Sequence, residues 1–177
     1  ISNSVGAIRH PDDMKGLRIR VLPSDIHFRF FELLGASPIR MDLTKAITDI
    51  QTGALDAQEN PYTNTTTYGV HNYHKHHTLS NHFYISRAIM CNRSQFYIWP
   101  EPLKQAIIEA AGDAMQWQRT QIETDVRVAE KLIVEAGGQI HSLTEAQTAL
   151  FQEKIAPLYK DARNKFGNTP FELLSDA

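Results

Sequence analysis

The sequence lacks several features that mark common classes of protein. It has one cysteine, Cys91, so no disulfide bond can form within the chain. It has no run of about 18 apolar residues, the length of helix that crosses a bilayer, so direct membrane insertion is not expected. Its 18 Lys and Arg residues are offset by 20 Asp and Glu residues. This balance disfavours binding to the phosphate backbone of nucleic acids.

Motifs of the common catalytic and nucleotide-binding sites are also missing. The chain contains no GxSxG elbow, no Gly-rich phosphate loop of the GxGxxG or GxxxxGK[ST] type, and no HExxH zinc motif. Asp56 and Glu59 could pass for a carboxylate pair, but residues three apart on a strand face opposite sides of a sheet. We therefore expect no acid–base catalysis by this pair, and no enzyme.

Histidines are the one residue type that suggests a metal. Three imidazoles can bind zinc and leave a position open for water. The spacing here fits no defined ligand motif, so a solvated loop that leads into a strand is the favoured interpretation. A metal-dependent hydrolase is kept as the alternative function. The five clustered histidines are His71, His74, His76, His77 and His82.

What is present is an ordinary globular composition, with 42% hydrophobic and 21% charged residues. The chain opens at Ile1 without an initiator Met or a secretory signal, which favours an excerpt of a longer protein or a processed product. Short elements alternate in its first 60 residues, as expected for a parallel sheet covered by helices. Ligands of such sheets bind at the carboxyl ends of the strands. The elements are strand 17–22, helix 24–34, strand 37–41, a helix from Asp42 or Thr44 to Gly53, and strand 54–59.

A long helix is predicted over residues 103–136, followed by Gly137-Gly138. It would be about 50 Å long, more than a compact domain of this size needs. Such a helix serves a second lobe or a partner, so a helix-mediated interaction protein is a third hypothesis, and Gly112 could instead break the helix. The remaining predictions are an extended run at 78–92, a strand at 139–141, and a helix at 145–165 opened by a capping box and ended by Gly167.

Two polar residues stand at predicted strand ends. Arg20 occupies an outward position of its strand, just before Pro23 and Ser24, and Ser24 can cap the next helix. A guanidinium there can hold a carboxylate through two parallel hydrogen bonds, although a surface ion pair with a neighbouring acid is the simpler interpretation. Asn60 either ties down the turn before Pro61 or presents its amide to a ligand.

Four blocks, in this order and spacing, resemble the solute-binding proteins of tripartite ATP-independent periplasmic (TRAP) transporters, the DctP-type family. The long helix is similar to that family's lobe-spanning helix, and the resemblance covers nearly the whole chain. It implies an α/β, periplasmic-binding-protein-like lobe with a parallel-rich sheet flanked by helices, and it identifies the chain as a C-terminal portion. The blocks are Asp13–Val21, Glu32–Pro38, Ile50–Pro61 and Thr78–His82.

The resemblance also implies a domain layout. Residues 1–85 would form the main part of the second lobe, and residues 86–102 would cross to the other lobe. Residues 103–136 would span both lobes, and residues 137–177 would return to the second.

The implied function is capture of a small organic acid, such as a dicarboxylate or sugar acid, in the periplasm, with delivery to membrane permease subunits and no cofactor. Arg20 matches the arginine that holds the substrate carboxylate, and Asn60 matches the binding residue before the proline. Leu43 lies where several relatives have an aromatic that packs on the ligand. Ser24 and His82 complete the expected substrate-binding set.

Overall fold

A computed structural model describes residues 1–175, in which seven helices surround one six-stranded sheet. The strands are β1 (Ser2–Asn3), β2 (Arg18–Val21), β3 (Ser37–Arg40), β4 (Ala57–Gln58), β5 (His76–Leu79) and β6 (Gln139–Ser142). The helices are α1 (Asp25–Leu33), α2 (Leu43–Gln51), α3 (Tyr62–Thr67), α4 (Arg93–Ile98), α5 (Glu101–Glu135), α6 (Glu145–Phe166) and α7 (Thr169–Ser175). Single 3-10 turns occur at Pro11–Met14 and Val70–Asn72.

Five of the six strands run in the same direction. The strand order is β3-β2-β4-β1-β5-β6, in which β2 is parallel to β3 and β4, and β5 is parallel to β6. Since β1 is antiparallel to both β4 and β5, those two strands are parallel to each other. The carboxyl ends of five strands therefore meet at one edge of the sheet, here named the carboxyl edge. The opposite edge is named the amino edge.

The predicted parallel-rich α/β sheet is thus confirmed, with one reversed strand that the sequence did not indicate. A strand of two residues is too short to show alternation of apolar and polar positions.

The largest hydrophobic core lies between the sheet and helices α1 and α6. Ile19 of β2 pairs with Ala57 of β4, and both side chains pack in one cluster with Phe31 of α1 and Phe151 of α6. Burying a phenylalanine of this kind contributes roughly 1.5–3 kcal/mol. The sheet's other face is covered as well, because Gln58 of β4 contacts α3 there.

Helix α5 is continuous over 35 residues, so Gly112 does not break it. At 1.5 Å per residue it is about 50 Å long. Its buried residues, Ala129 and Ile133, lie near its C-terminus, where it packs on α3 and β6. Its first two-thirds expose large apolar side chains: Leu103, Ile108, Met115, Trp117 and Ile122. Within residues 1–175, no helix is both long and apolar enough to cross a membrane.

The predicted elements are largely confirmed, and the differences have local causes. The capping box at Thr144 and Gln147 opens α6, which ends before Gly167 at a φ of 78°. The predicted run at 78–92 is wrong in extent, because β5 ends at Leu79 and residues 80–92 form neither strand nor helix. Asn81, at a φ of 45°, turns the chain away from the sheet. Strand β4 is shorter than the predicted 54–59 and contains only Ala57 and Gln58.

Candidate functional site

The carboxyl edge collects most of the polar residues that the sequence singled out. Arg20 lies near the end of β2, opposite Ile39 of β3 and Gln58 of β4. Its side chain is buried, with only 3% of the residue exposed. The predicted outward position is therefore wrong, because β2 is exposed only at its first residue, Arg18, and is buried from Ile19 to Val21.

The buried guanidinium of Arg20 has few partners. Its Nε donates a hydrogen bond to the carbonyl oxygen of Met41 at 3.0 Å, and no Asp or Glu within residues 1–175 forms an ion pair with it. Burial lowers the pKa of the Arg20 guanidinium, while the charges of Glu59 and Asp42 act in the opposite direction. Arginine stays protonated in proteins, so a positive charge is held here with unused N–H donors.

Ser24 and Leu43 start the two helices that follow β2 and β3. Ser24 is the N-cap of α1, as predicted, but its side chain makes no capping hydrogen bond, so its hydroxyl is left without that role. Leu43 is the first residue of α2 and is half-buried against the helix's own hydrophobic cluster around Ala46 and Ile50. An aliphatic side chain there serves the packing of α2 in that cluster.

Asn60 follows β4 and is held by two neighbouring side chains. Its Nδ2 donates to Oε1 of Gln58 at 2.7 Å, and its Oδ1 accepts from Nδ2 of Asn64 at 3.2 Å. One N–H of the amide remains after these bonds. The residue also lines a pocket of about 250 Å³ between the ends of β4 and β5 and helix α5. Asn60 therefore both anchors the turn before Pro61 and faces open space.

His82 lines the same pocket. Its Nδ1 lies 2.7 Å from Oγ of Ser80, and its Nε2 lies 3.8 Å from Oε2 of Glu59. The ring packs against Phe30, with ring centroids 5.2 Å apart. Burial lowers the pKa of His82 well below the ordinary histidine value, so the imidazole is neutral at pH 7.

Sequence reasoning missed Glu59 and His27 as members of the edge. The Glu59 carboxylate is almost fully buried, and its Oε1 lies 3.1 Å from Nδ1 of His27. His27 stacks on Phe83, with ring centroids 4.1 Å apart. Nothing in the sequence pairs a histidine on α1 with a glutamate 32 residues later. As expected, Asp56 faces away from Glu59, since it bonds Arg18 instead.

The clustered histidines do not form a metal centre. His74 bonds Oγ of Ser2 through Nδ1 at 3.0 Å, and Nε2 of His77 lies 3.0 Å from the carbonyl oxygen of His74. Burial lowers the pKa of His74 and of His77 to about 4. Among the described residues, no three His, Cys, Asp or Glu side chains are placed to hold a metal ion. The predicted solvated loop is also wrong for His74 and His77, whose side chains lie in the interior.

Comparison with known proteins agrees with this architecture. The family model of the bacterial extracellular solute-binding proteins, family 7 (DctP), matches residues 1–165. The C4-dicarboxylate-binding periplasmic protein DctP of Rhodobacter capsulatus is 27% identical over 89% of this chain and 47% of its own length.

Two solved structures share the fold closely. The sugar acid binding protein of Advenella mimigardefordensis, in complex with galactonate, is 27% identical with a TM-score of 0.91 over 99% of this chain and 56% of its own. A TRAP periplasmic solute-binding protein of Chromohalobacter salexigens, with bound D-glucuronate, is 25% identical with a TM-score of 0.91 over 99% of this chain and 57% of its own. The chain thus spans about half the length of these relatives.

The match covers most of the chain, and the fold agrees from β1 to the last helices. The members of this family are solute-binding proteins rather than enzymes. The chain belongs to the bacterial extracellular solute-binding proteins of family 7.

Proposed function

We propose that this chain is part of the extracytoplasmic solute-binding subunit of a TRAP transporter. In this role it captures a small organic acid, a dicarboxylate or a sugar acid, and delivers it to the membrane permease subunits. The observation that carries the proposal is the buried Arg20 guanidinium, which has one hydrogen bond to the protein and no ion-pair partner within residues 1–175. A buried charge of this kind is costly unless an opposite charge pairs with it.

A ligand carboxylate supplies that missing partner. The planar guanidinium keeps four N–H donors on its two Nη atoms, and two of them can hold both carboxylate oxygens in parallel. The bond strengthens when the site loses water, because the local dielectric constant falls. Relatives whose names or bound compounds are C4-dicarboxylates, galactonate and D-glucuronate support a carboxylate ligand.

The other predicted residues are assigned supporting roles. Asn60 donates its remaining amide N–H to the ligand, and the hydroxyl of Ser24 is available for a hydrogen bond. His82 stands with Asn60 at the pocket wall, as a neutral imidazole. Leu43 is assigned an aliphatic contact with the ligand. Arg20 supplies the positive charge, and Asn60 and Ser24 supply neutral donors, which suits a small anion.

The predicted layout of two lobes is kept as part of the proposal. Residues 1–85 and 137–177 form one lobe, residues 86–102 cross to another, and residues 103–136 span both. The exposed apolar side chains of α5 support this layout, as do Tyr84, Ile89 and Met90 in the segment after β5. Relatives about twice as long supply the second lobe. Closure of two lobes on the ligand then converts binding into a change of shape.

The proposal places the protein in the periplasm, without a cofactor, catalysis, or contact with nucleic acid. The hydrolase alternative has lost its basis, since the described histidines do not converge on a metal position. Helix-mediated association through α5 alone remains a competing role, because its exposed surface is compatible with a protein partner.

A thermal-shift screen tests the function. It is run with succinate, D-galactonate and D-glucuronate, both on the 177-residue chain and on a full-length chain that carries both lobes. One compound should stabilise the full-length chain by RT ln(1 + [L]/Kd). The melting temperature of the 177-residue chain, which carries only part of the site, should change little.

The variant Arg20→Lys should abolish that stabilisation, because an ammonium cannot replace the two-pronged guanidinium. Equal ligand affinity in this variant would contradict the site assignment. Association through helix α5 would be unaffected by the Arg20→Lys change. Metal analysis of the purified chain separates the hydrolase alternative, which needs stoichiometric zinc.

A further inference from the structure

We infer that Gln58 is a positioning residue that fixes which end of the Asn60 side-chain amide faces the ligand. The inference rests on the proposed function, because that function gives Asn60 its place in the ligand site. Gln58 itself is fully buried and lies in the middle of the sheet, between β2 and β1. It acts on the ligand only through Asn60.

Both ends of the Gln58 amide are used. Its Oε1 accepts the 2.7 Å hydrogen bond from Nδ2 of Asn60. Its Nε2 donates to Oγ of Ser2 at 3.3 Å and to Oγ1 of Thr65 at 3.2 Å. Breaking any of these bonds in the interior leaves an unsatisfied polar group, so the amide is held in one orientation.

The hydroxyl group of Thr65 prevents the Gln58 amide from turning over. The hydrogen of Thr65 Oγ1 goes to the carbonyl oxygen of Pro61 at 3.0 Å. A reversed Gln58 would set its own oxygen against Oγ1 of Thr65, whose hydrogen is already used. Its nitrogen would at the same time face Nδ2 of Asn60, so that two donors would meet. Oγ of Ser2 lies 3.0 Å from Nδ1 of His74, whose pKa burial lowers to about 4.

The fixed orientation of Gln58 in turn fixes the orientation of the Asn60 amide. The hydrogen bonds from Asn64 through Asn60 and Gln58 to Thr65 all point the same way. The amide of Asn60 therefore presents one N–H donor to the site. The ligand atom next to it must be an acceptor, which is a carboxylate or hydroxyl oxygen.

The test is a double-mutant cycle in the full-length, two-lobed chain. Gln58→Met, Asn60→Ala and the double variant are compared with wild type by calorimetric Kd for D-galactonate, D-glucuronate and succinate. Gln58→Met alone should weaken binding about 5- to 10-fold, the usual worth of one hydrogen bond. In the Asn60→Ala background the same change should have no further effect on Kd. Equal losses in both backgrounds, or no loss, would overturn the inference.

A second measurement does not depend on a ligand. In the wild type, the two side-chain amide protons of Asn60 should give separate, slowly exchanging NMR signals, and in Gln58→Met they should exchange faster. Unchanged signals in the variant would also overturn the inference. If none of the three compounds binds the full-length chain, the proposed function fails, and the NMR signals still decide the role of Gln58. Asp56→Asn is the matched control, since it removes a hydrogen-bonded side chain at the amino edge and should leave Kd and these signals unchanged.

Discussion

The two arginines of β2 lie toward opposite edges of the sheet and differ in their ion pairing. At the amino edge, Arg18 reaches Asp56 through Nε at 2.9 Å and Nη2 at 2.6 Å, and it also bonds the carbonyl oxygen of Gly53. The hydrogen bond to Asp56 raises the pKa of Arg18, and the same bond lowers the pKa of Asp56. At this edge the charges of Arg18 and Asp56 are therefore paired with each other.

At the carboxyl edge, Arg20 is buried and forms no ion pair with any acid of residues 1–175, and burial lowers its pKa. The two arginines are two residues apart on one strand, so sequence proximity does not explain the difference. One is exposed and satisfied by its own fold, whereas the other is buried and left with free donors. An unpaired group in the interior identifies a binding site better than an exposed paired one does.

The largest effect is expected from a change at Arg20, which tests the difference between the two edges. The change Arg20→Met keeps the length of the side chain and removes the charge. Ligand affinity should fall by about 30- to 1,000-fold, the usual loss when one partner of a buried charge pair is removed. Stability to urea without ligand should stay equal or rise, because an unpaired buried charge is removed.

Arg18→Met is the matched control for this variant. It should lower the melting temperature through loss of its bonds to Asp56 and Gly53 and leave Kd unchanged. The comparison between the edges would be wrong if both variants lost stability and kept affinity.

An acid titration extends the comparison to pH. His74 and His77 have folded pKa values near 4, depressed from 6.5 by burial. Below about pH 6.5 these histidines bind protons in the unfolded chain but stay neutral in the folded chain. The free energy of unfolding therefore falls as the pH decreases from about 6.5 to about 4. Each histidine changes the free energy of unfolding by up to about 1.4 kcal/mol per pH unit in that window. Urea unfolding at pH 7.5, 6 and 5 measures the slope.

The Asp56 ion pair behaves differently in the same titration. The folded pKa of Asp56 lies below its ordinary value of 3.8, so its contribution is lost only as the pH falls below that value. The variant His77→Gln should therefore reduce the slope between pH 6.5 and 4. Asp56→Asn should keep that slope, because loss of the Asp56 charge only lowers the pKa of His74 further. A flat profile in the wild type would show that the histidines accept protons in the folded state.

The smallest expected effect concerns two helix N-caps. Thr144 bonds the backbone of Gln147 at the start of α6, whereas Ser24 makes no such bond at the start of α1. Thr144→Ala should cost about 1 kcal/mol of stability and leave Kd unchanged. Ser24→Ala should leave stability unchanged and weaken ligand binding a few-fold, as one lost hydrogen bond does. Chemical unfolding and calorimetry on both variants measure these effects, and a stability loss in Ser24→Ala would give its hydroxyl a structural role.

Much of the fold could be predicted from local patterns. The spacing of apolar residues predicted β2, α1, β3, α2, β6 and both long helices to within a few residues. The elements that were missed are β1, α3, α4 and α7, all of seven residues or fewer. Such elements form because tertiary contacts hold them, and their own sequence carries too little periodicity to show it.

The candidate site was predictable only in part. Arg20 and Asn60 were found because they follow strands whose carboxyl ends must meet at one edge. The burial of Arg20 was not predicted, since alternation along β2 suggested a solvent-facing side. Glu59 and His27 were missed as partners, because their contact joins two elements whose approach is set by the packing of α1 on the sheet.

The sequence by itself determined the α/β class, the direction of most strands, the continuous long helix and the edge where polar residues gather. These follow from periodicity, caps and the handedness of crossover connections, which are local properties of the chain. Only the tertiary structure decided which polar groups are satisfied. It paired Arg18 with Asp56, buried Arg20 without an ion pair to any described acid, and joined Asn60 through Gln58 and Ser2 to His74. Hydrogen bonds and ion pairs of this kind depend on distances between residues far apart in the chain, which no local pattern encodes.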